Sequence, residues 1–361
     1  MRYLLFEKYS LAAVLLILLF SNSLIAQSEI GKGVKLFEDG NLSEAKTFFQ
    51  QKIKSDKKHA ESNFYMGRIY FDEEDYEEAT EWFKNAAKYN EELSKYAMWL
   101  GHAYGRRAQN AGKLKQAFYA KDSRKNYEKA IELDPDNVEA RESAIEFYLQ
   151  APGFLGGGRD KAEEQATLIS NIDGVAGFIA WGRIYSYYDE IESTYENYST
   201  AIEIYPEEMV FYYRLFNYHF GEKEYDEAIE IAKKQLVYND TTAVIYHNLG
   251  NAYQWADRFD EAFVEYQKAL ESDPEFSTTL YQIGRLAAVS NMYLKEGEES
   301  LIQFLAQKDE YDNNTLAWAY FRLGTIYENK GNIEAAKDQY EQALKANEDH
   351  DESKEALRRI S

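Results

Sequence analysis

Glycines recur at a spacing of 34 residues along this chain: Gly33, Gly67 and Gly101, and again Gly250 and Gly284. Other residues recur in phase with them. Tyr246, Leu249, Gly250 and Tyr253 are followed by Ala262, Tyr266, Ala269 and Pro274. The same skeleton appears as Phe178, Trp181, Gly182, Tyr185, Tyr198, Ala201 and Pro206, as Met66, Gly67, Tyr70, Ala79, Phe83 and Ala86, and as Tyr320, Leu323, Gly324, Tyr327, Ala336, Tyr340 and Ala343. Between Gly182 and Gly250 one glycine position is held by Phe216. A repeat of this length is one supersecondary unit, too small to bury its apolar face alone, so copies must stack.

Within each unit the apolar residues fall at three- and four-residue spacing, as in Leu249, Ala252, Tyr253 and Ala262, Tyr266, Ala269. That spacing predicts amphipathic helices of about three turns. Glycine and alanine are small where the two helices of a hairpin cross, and aromatics are expected to fill the gap toward the neighbouring repeat. Asp134-Pro135 and Asp273-Pro274 predict helix stops. This pattern resembles the tetratricopeptide repeat (TPR). The resemblance covers nearly the whole chain after residue 26, in nine units: 26–59, 60–93, 94–137, 138–174, 175–208, 209–242, 243–276, 277–316 and 317–350. A polar-faced helix within 351–361 would cap the stack. The fold it implies is all-α, a right-handed superhelical solenoid of helix–turn–helix units.

Residues 1–26 read differently. Arg2 and Lys8 precede an apolar run from Leu11 to Phe20, then a polar patch and Ala26. That layout predicts a secretory signal peptide, since ten apolar residues fall short of the roughly 20 that span a bilayer. The expected location is periplasmic or secreted, with an N-terminal inner-membrane anchor as the alternative. No later stretch reads as a membrane span. With no cysteine, disulfide frameworks, thiolate metal sites, thiol catalysis and a lipid-modified N-terminal cysteine are excluded. A net charge of −22 argues against nucleic acid, which requires a basic face.

Two units depart from the period. After Gly101 the next in-phase aromatic, Tyr127, arrives ten residues late, which predicts that both helices of that unit are lengthened. The intervening segment is basic: Arg106, Arg107, Lys113, Lys115, Lys121, Arg124 and Lys125 face a single acid, Asp122. It would either balance charges on its own neighbours or dock an acidic partner or anionic glycan. The next unit carries Ala151-Pro152-Gly153-Phe154-Leu155-Gly156-Gly157-Gly158 between its helices. It lacks the Lys-Ser/Thr of a phosphate-binding loop, and Asp160 would repel an anion, so the reading is a widened turn with glycines at positive φ. The pairing of long repeat and glycine loop is similar to exported bacterial TPR proteins of unassigned role.

No catalytic or metal motif stands out. The five histidines include no i, i+4 pair, the acidic run Asp72–Asp75 lacks the glycine and terminal glutamate of a calcium loop, and no Gly-x-Ser-x-Gly elbow is present. The expectation is a protein that is not an enzyme, with no cofactor, metal or catalytic residue.

The resemblance implies a concave groove lined by the first helix of each unit. Carried over from the glycines, its ninth places are Arg68, His102, Arg183, Asn217, Asn251 and Arg285, with Glu146 in the irregular fourth unit the one acid. The fifth and twelfth places add Phe64, Phe71, Tyr213, Phe220, His247, Gln254 and Tyr281. Asparagine satisfies both polar groups of an extended peptide backbone, arginine forks onto a carboxylate, and tyrosine offers a flat wall with a polar tip. The candidate groove is therefore Arg68, His102, Arg183, Tyr213, Asn217, His247, Asn251, Gln254, Tyr281 and Arg285. Tyr213, His247 and Tyr281 stand where a chaperone-tail carboxylate clamp would have lysine. The expected function is a non-catalytic scaffold of the cell envelope that binds a protein or peptide segment, acidic or C-terminal ones among the candidates. The alternative is a glycan-binding or polysaccharide-assembly accessory using groove aromatics. The register itself is testable: Ala262→Phe should overpack a helix crossing and lower stability by roughly 1–3 kcal/mol in chemical denaturation. An unchanged midpoint would place Ala262 away from the crossing.

Overall fold

The computed structural model describes residues 30–238 and 242–361. The segment read as a signal, 1–26, lies outside the described residues. The chain is all-α and divides into two compact units, one ending at Thr194 and one running from Tyr195 to Ser361. The first holds α1 (30–38), α2 (Leu42–Ser55), α3 (Ala60–Asp72), α4 (Tyr76–Tyr89), α5 (Ser94–Gln109), α6 (Lys113–Leu133), α7 (Val138–Gln150), α8 (Arg159–Ile172) and α9 (Gly174–Tyr187). The division falls within α10 (Ile191–Ile204). The second holds α11 (Met209–Gly221), α12 (Tyr225–Tyr238), α13 (Ala243–Trp255), α14 (Phe259–Ser272), α15 (Ser277–Ser290), α16 (Leu294–Ala306), α17 (Asn313–Asn329), α18 (Ile333–Ala346) and α19 (Asp351–Ile360).

The repeated glycines allow the two helices of a hairpin to touch. A Cβ on Gly67 would lie 2.6 Å from the Phe83 ring, on Gly101 2.7 Å from Tyr127, on Gly250 2.5 Å from Tyr266 and on Gly324 2.6 Å from Tyr340. Each ring belongs to the second helix of the same hairpin, so the in-phase aromatic covers its own repeat's glycine rather than filling the gap to the next repeat. Tyr266 and Tyr340 are fully buried, as is Phe83. Burying such a side chain contributes about 1.5–3 kcal/mol. The neighbouring repeat is met by other residues: Phe64, Phe83, Tyr96 and Leu100 form one cluster across α3, α4 and α5, while Met98, Tyr127, Ile145, Ile169 and Ile184 form the next across α5 to α9. The core of the first unit is thus a series of local clusters.

Helix ends repeat as faithfully as the core. Asp75, Asn137 and Asp173 cap α4, α7 and α9 by accepting from the N–H of Glu78, Ala140 and Ala176. First helices end in a left-handed residue, with φ of 77° at Gly40, 61° at Glu74, 54° at Asp189, 64° at Lys223, 56° at Asp257 and 59° at Asn291. The next N–H then reaches back to the helix, as from Asp75 to the Tyr70 carbonyl and from Glu224 to that of His219. Asp134 and Asp273 stop α6 and α14 and accept from the N–H two residues on. At the C-terminus α19 buries Ala356 and ties Arg359 to Glu328 through two hydrogen bonds of 3.1 and 2.8 Å.

Both helices of the long unit are extended, as the late aromatic predicts: α5 has 16 residues and α6 has 21, against 13 and 14 in α3 and α4. Here α5 runs on through Ala108, so the left-handed stop of other repeats is missing. Glu74 shows the cost of that stop. A left-handed backbone at a non-glycine residue costs about 1–2 kcal/mol, partly offset by the larger unfolded entropy of glycine. Exposed Glu74→Gly should therefore raise stability by up to about 1 kcal/mol in urea titration. A loss of stability would mean that the glutamate side chain itself holds the turn.

Candidate binding cleft

A cleft of about 1120 Å³ opens within the first unit. One wall is a single face of α7, because Glu139, Glu142, Ser143, Glu146, Phe147 and Gln150 recur at helical spacing. Opposite are the extensions of α5 and α6, with Arg106, Gln109, Lys113, Gln116 and Ala117. Phe71, Trp99, His102 and Tyr127 line it from α3, α5 and α6, and Arg183 reaches it from α9. The remaining wall is the glycine loop, which supplies Pro152, Phe154 and Leu155. The groove row was expected to be almost free of acid, yet α7 brings three carboxylates to this cleft.

The loop geometry requires its glycines. Gly156 is left-handed at φ 94°, and a Cβ there would stand 2.5 Å from the Arg124 guanidinium. A Cβ on Gly157 would overlap the Ala151 carbonyl oxygen. The N–H groups of Gly156, Gly157 and Gly158 go to the carbonyls of Gly153, Pro152 and Tyr148 at 2.9, 3.3 and 2.9 Å. None is left to cradle an anion, so the loop is a widened turn. Lys161 adds a bond to the Gly156 carbonyl at 2.9 Å, and Arg159 forks onto Glu190. The result holds Phe154 out, 85% exposed, at the cleft mouth.

Of the residues expected in the groove, His102 and Arg183 line this cleft and Arg68 lies beside it. The Arg68 guanidinium stacks 3.8 Å from the centroid of Trp99, and its Nε is buried without a hydrogen-bond partner among the described residues. Burial holds its pKa below the usual arginine range, with Asp72 opposing. The His102 Nδ1 sits 3.0 Å from the Tyr127 hydroxyl, and its ring edge meets Trp99 at 5.1 Å. Burial, aided by Arg68 and Arg106, pushes His102 down to about 4.

The remaining candidates lie in the second unit. Tyr213 and Asn217 are exposed on α11. Gln254 is covered, 4% exposed, and Asn251 is half-buried beside it. The Tyr266 hydroxyl faces both, 2.8 Å from Asn251 Oδ1 and 2.7 Å from Gln254 Oε1. One phenolic proton serves one oxygen at a time; turning the Gln254 amide would let its otherwise unpartnered Nε2 donate to the phenol. His247 Nδ1 meets Thr279 Oγ1 at 2.8 Å, Arg322 Nε donates to the Tyr281 hydroxyl at 3.1 Å, and Arg285 stacks on Trp255 at 4.3 Å. Three of these seven, His247, Tyr281 and Arg285, therefore also tie one repeat to the next.

Missing from the expected row are Trp99, Arg106, Phe147, Phe154 and, on α7, Glu139 and Glu142. The signal for them was present: the two irregular turns occupy the equivalent place in consecutive repeats, and insertions at equivalent places stack on one face.

Burial makes the fold pH-sensitive. His102 and His247 both stay neutral until about pH 4, whereas an unfolded histidine protonates near 6.5. Between those values the unfolded chain binds the extra protons, so stability falls as pH drops through that window. Each histidine should contribute on the order of 1–3 kcal/mol to that fall. His102→Gln should flatten the denaturation slope between pH 6.5 and 4; an unchanged slope would show that His102 is not the group responsible.

Models of the tetratricopeptide repeat match residues 31–93, 210–275 and 319–350. No curated protein matches the chain. Among solved structures the chain is similar to MamA (TM-score 0.43, 21% identity, covering 48% of this chain and 92% of that one). It is similar to YrrB, described as a TPR protein with an unusual peptide-binding site (TM-score 0.46, 20% identity, 54% and 97% covered). A third is a tetratricopeptide repeat protein from Parabacteroides merdae ATCC 43184 (TM-score 0.46, 13% identity, 70% and 95% covered). With repeat models matching at three separated stretches of an all-helical chain, the chain contains tetratricopeptide repeats.

Proposed function

We propose that the protein is a non-catalytic interaction scaffold of the cell envelope, carried there by residues 1–26, and that a protein segment binds in the cleft of the first unit. The observation that carries this reading is the convergence of both departures from the repeat, the lengthened α5–α6 pair and the glycine loop, on one cleft. An aromatic lining of Phe71, Trp99 and Phe147, with Phe154 at the mouth, suits a large apolar side chain. The cleft also separates charge. Glu139 and Glu142 on α7 have no ion-pair partner among the described residues, and neither has Lys113 across from them. An extended segment with an apolar anchor, a basic residue toward α7 and an acidic residue or terminus toward α6 would satisfy both walls. In the second unit, exposed Tyr213 and Asn217 with half-buried Asn251 and Arg285 are a further stretch of groove for the same kind of ligand.

The test is in-cell photo-crosslinking from position 142, with exposed position 81 on α4 as control, read by mass spectrometry. One discrete protein captured from 142 and absent from 81 is the expected result. Phe154→Ala, on a side chain too exposed to matter for folding, should weaken binding of the captured segment about tenfold. Equal capture from both positions would overturn the cleft reading. A positive glycan array with no protein captured would move the assignment to sugar binding.

A further inference from the structure

The basic segment does not balance itself. Of its seven cations, Arg107 pairs with Glu77 at 3.5 Å and Arg124 with Glu128 at 3.7 Å. Among the described residues no acid pairs with Lys113, Lys115, Lys121 or Lys125. Three of these, Lys115, Lys121 and Lys125, lie on the side of α6 that faces away from the cleft, together with Leu114 and Phe118, which are 92% and 65% exposed. Leu114, Phe118, Lys121 and Lys125 fall at i, i+4, i+7 and i+11, one continuous face. Packing does not need this face. The extension is already anchored by Tyr119, whose ring stacks on Tyr104 at 6.2 Å and whose hydroxyl accepts from Arg107 at 3.0 Å.

We propose that this outer face of α6 is a second docking surface, separate from the cleft, for an acidic protein segment with apolar residues at helical spacing. The exposed pair Leu114 and Phe118 gives such a segment an apolar contact at i and i+4. The unpaired lysines around that pair supply charge complementarity. The net charge of −22 decides between a segment and an anionic membrane. A membrane is an extended plane that meets the repulsion of the whole molecule. A short segment senses charges within about one Debye length, roughly 8 Å at physiological salt, and around Leu114 and Phe118 the three lysines Lys115, Lys121 and Lys125 outnumber the one acid of the segment, Asp122. Two apolar side chains are also a weak membrane anchor, since stable attachment needs more than one such signal.

The experiment uses the protein from residue 27 onward with a dye-labelled helical peptide carrying leucines at i and i+4 and glutamates on both flanks. Fluorescence anisotropy should report binding that weakens with added salt. The double changes Lys121→Glu/Lys125→Glu and Leu114→Ser/Phe118→Ser should each lower affinity about tenfold with melting unchanged. Phe154→Ala, which alters the cleft, should bind the peptide as the parent does, so failure of one site is read separately from failure of the other. No binding by the parent protein overturns the proposal. So does equal binding of a scrambled peptide whose leucines share no face, and so does co-sedimentation with phosphatidylglycerol vesicles that depends on the same residues.

Discussion

The structure depends on one contact made over and over: an aromatic ring of the second helix packed against a glycine of the first. Without a Cβ at Gly67 or Gly250, the ring of Phe83 or Tyr266 fills the crossing and is itself wholly enclosed. The same ring positions serve polar ends as well. The Tyr266 hydroxyl reaches Asn251 and Gln254, and the Tyr340 hydroxyl donates to Glu328, which also holds Arg359 of the terminal helix. Core packing and groove chemistry are thus coupled through single side chains. A change at Tyr266 acts on the hairpin crossing and on Asn251 and Gln254 together.

Against this regular background the cleft of the first unit is an elaboration rather than a disruption. Lengthening α5 and α6 leaves Gly101 and Tyr127 in contact, because the extra residues are added on the turn side of the crossing. The glycine loop enlarges the same turn in the following repeat. The stack keeps its neighbour contacts while two adjacent turns grow into walls.

The repeat architecture was readable from glycine spacing because the steric demand at a crossing admits almost no other residue. The left-handed helix stops were not, since Glu74, Asp189 and Lys223 carry no glycine or asparagine signal and are held by the bonds around them. The groove row, carried over from the repeat pattern, specifies positions and not environments. Gln254 stands at a groove place and is covered, while His247 and Arg285 have partners supplied by Thr279 and Trp255. The cleft was half legible: its two irregular segments stood out separately, and what joined them was the equivalence of their places in successive repeats. Of the carboxylates of α7, Glu146 stood at a groove place, while Glu139 and Glu142 were invisible amid 63 acidic residues, where one more glutamate at a helical spacing carries little information.

The packing of Arg124 beneath Gly156 has a mechanical consequence. That arginine projects from α6, the helix that forms one wall of the cleft and, on its reverse, the lysine face. Its guanidinium supports the loop that carries Phe154. Helix and loop are therefore packed on each other. The three glycines are thus pinned from two sides, by their own backbone bonds and by a side chain of the preceding repeat.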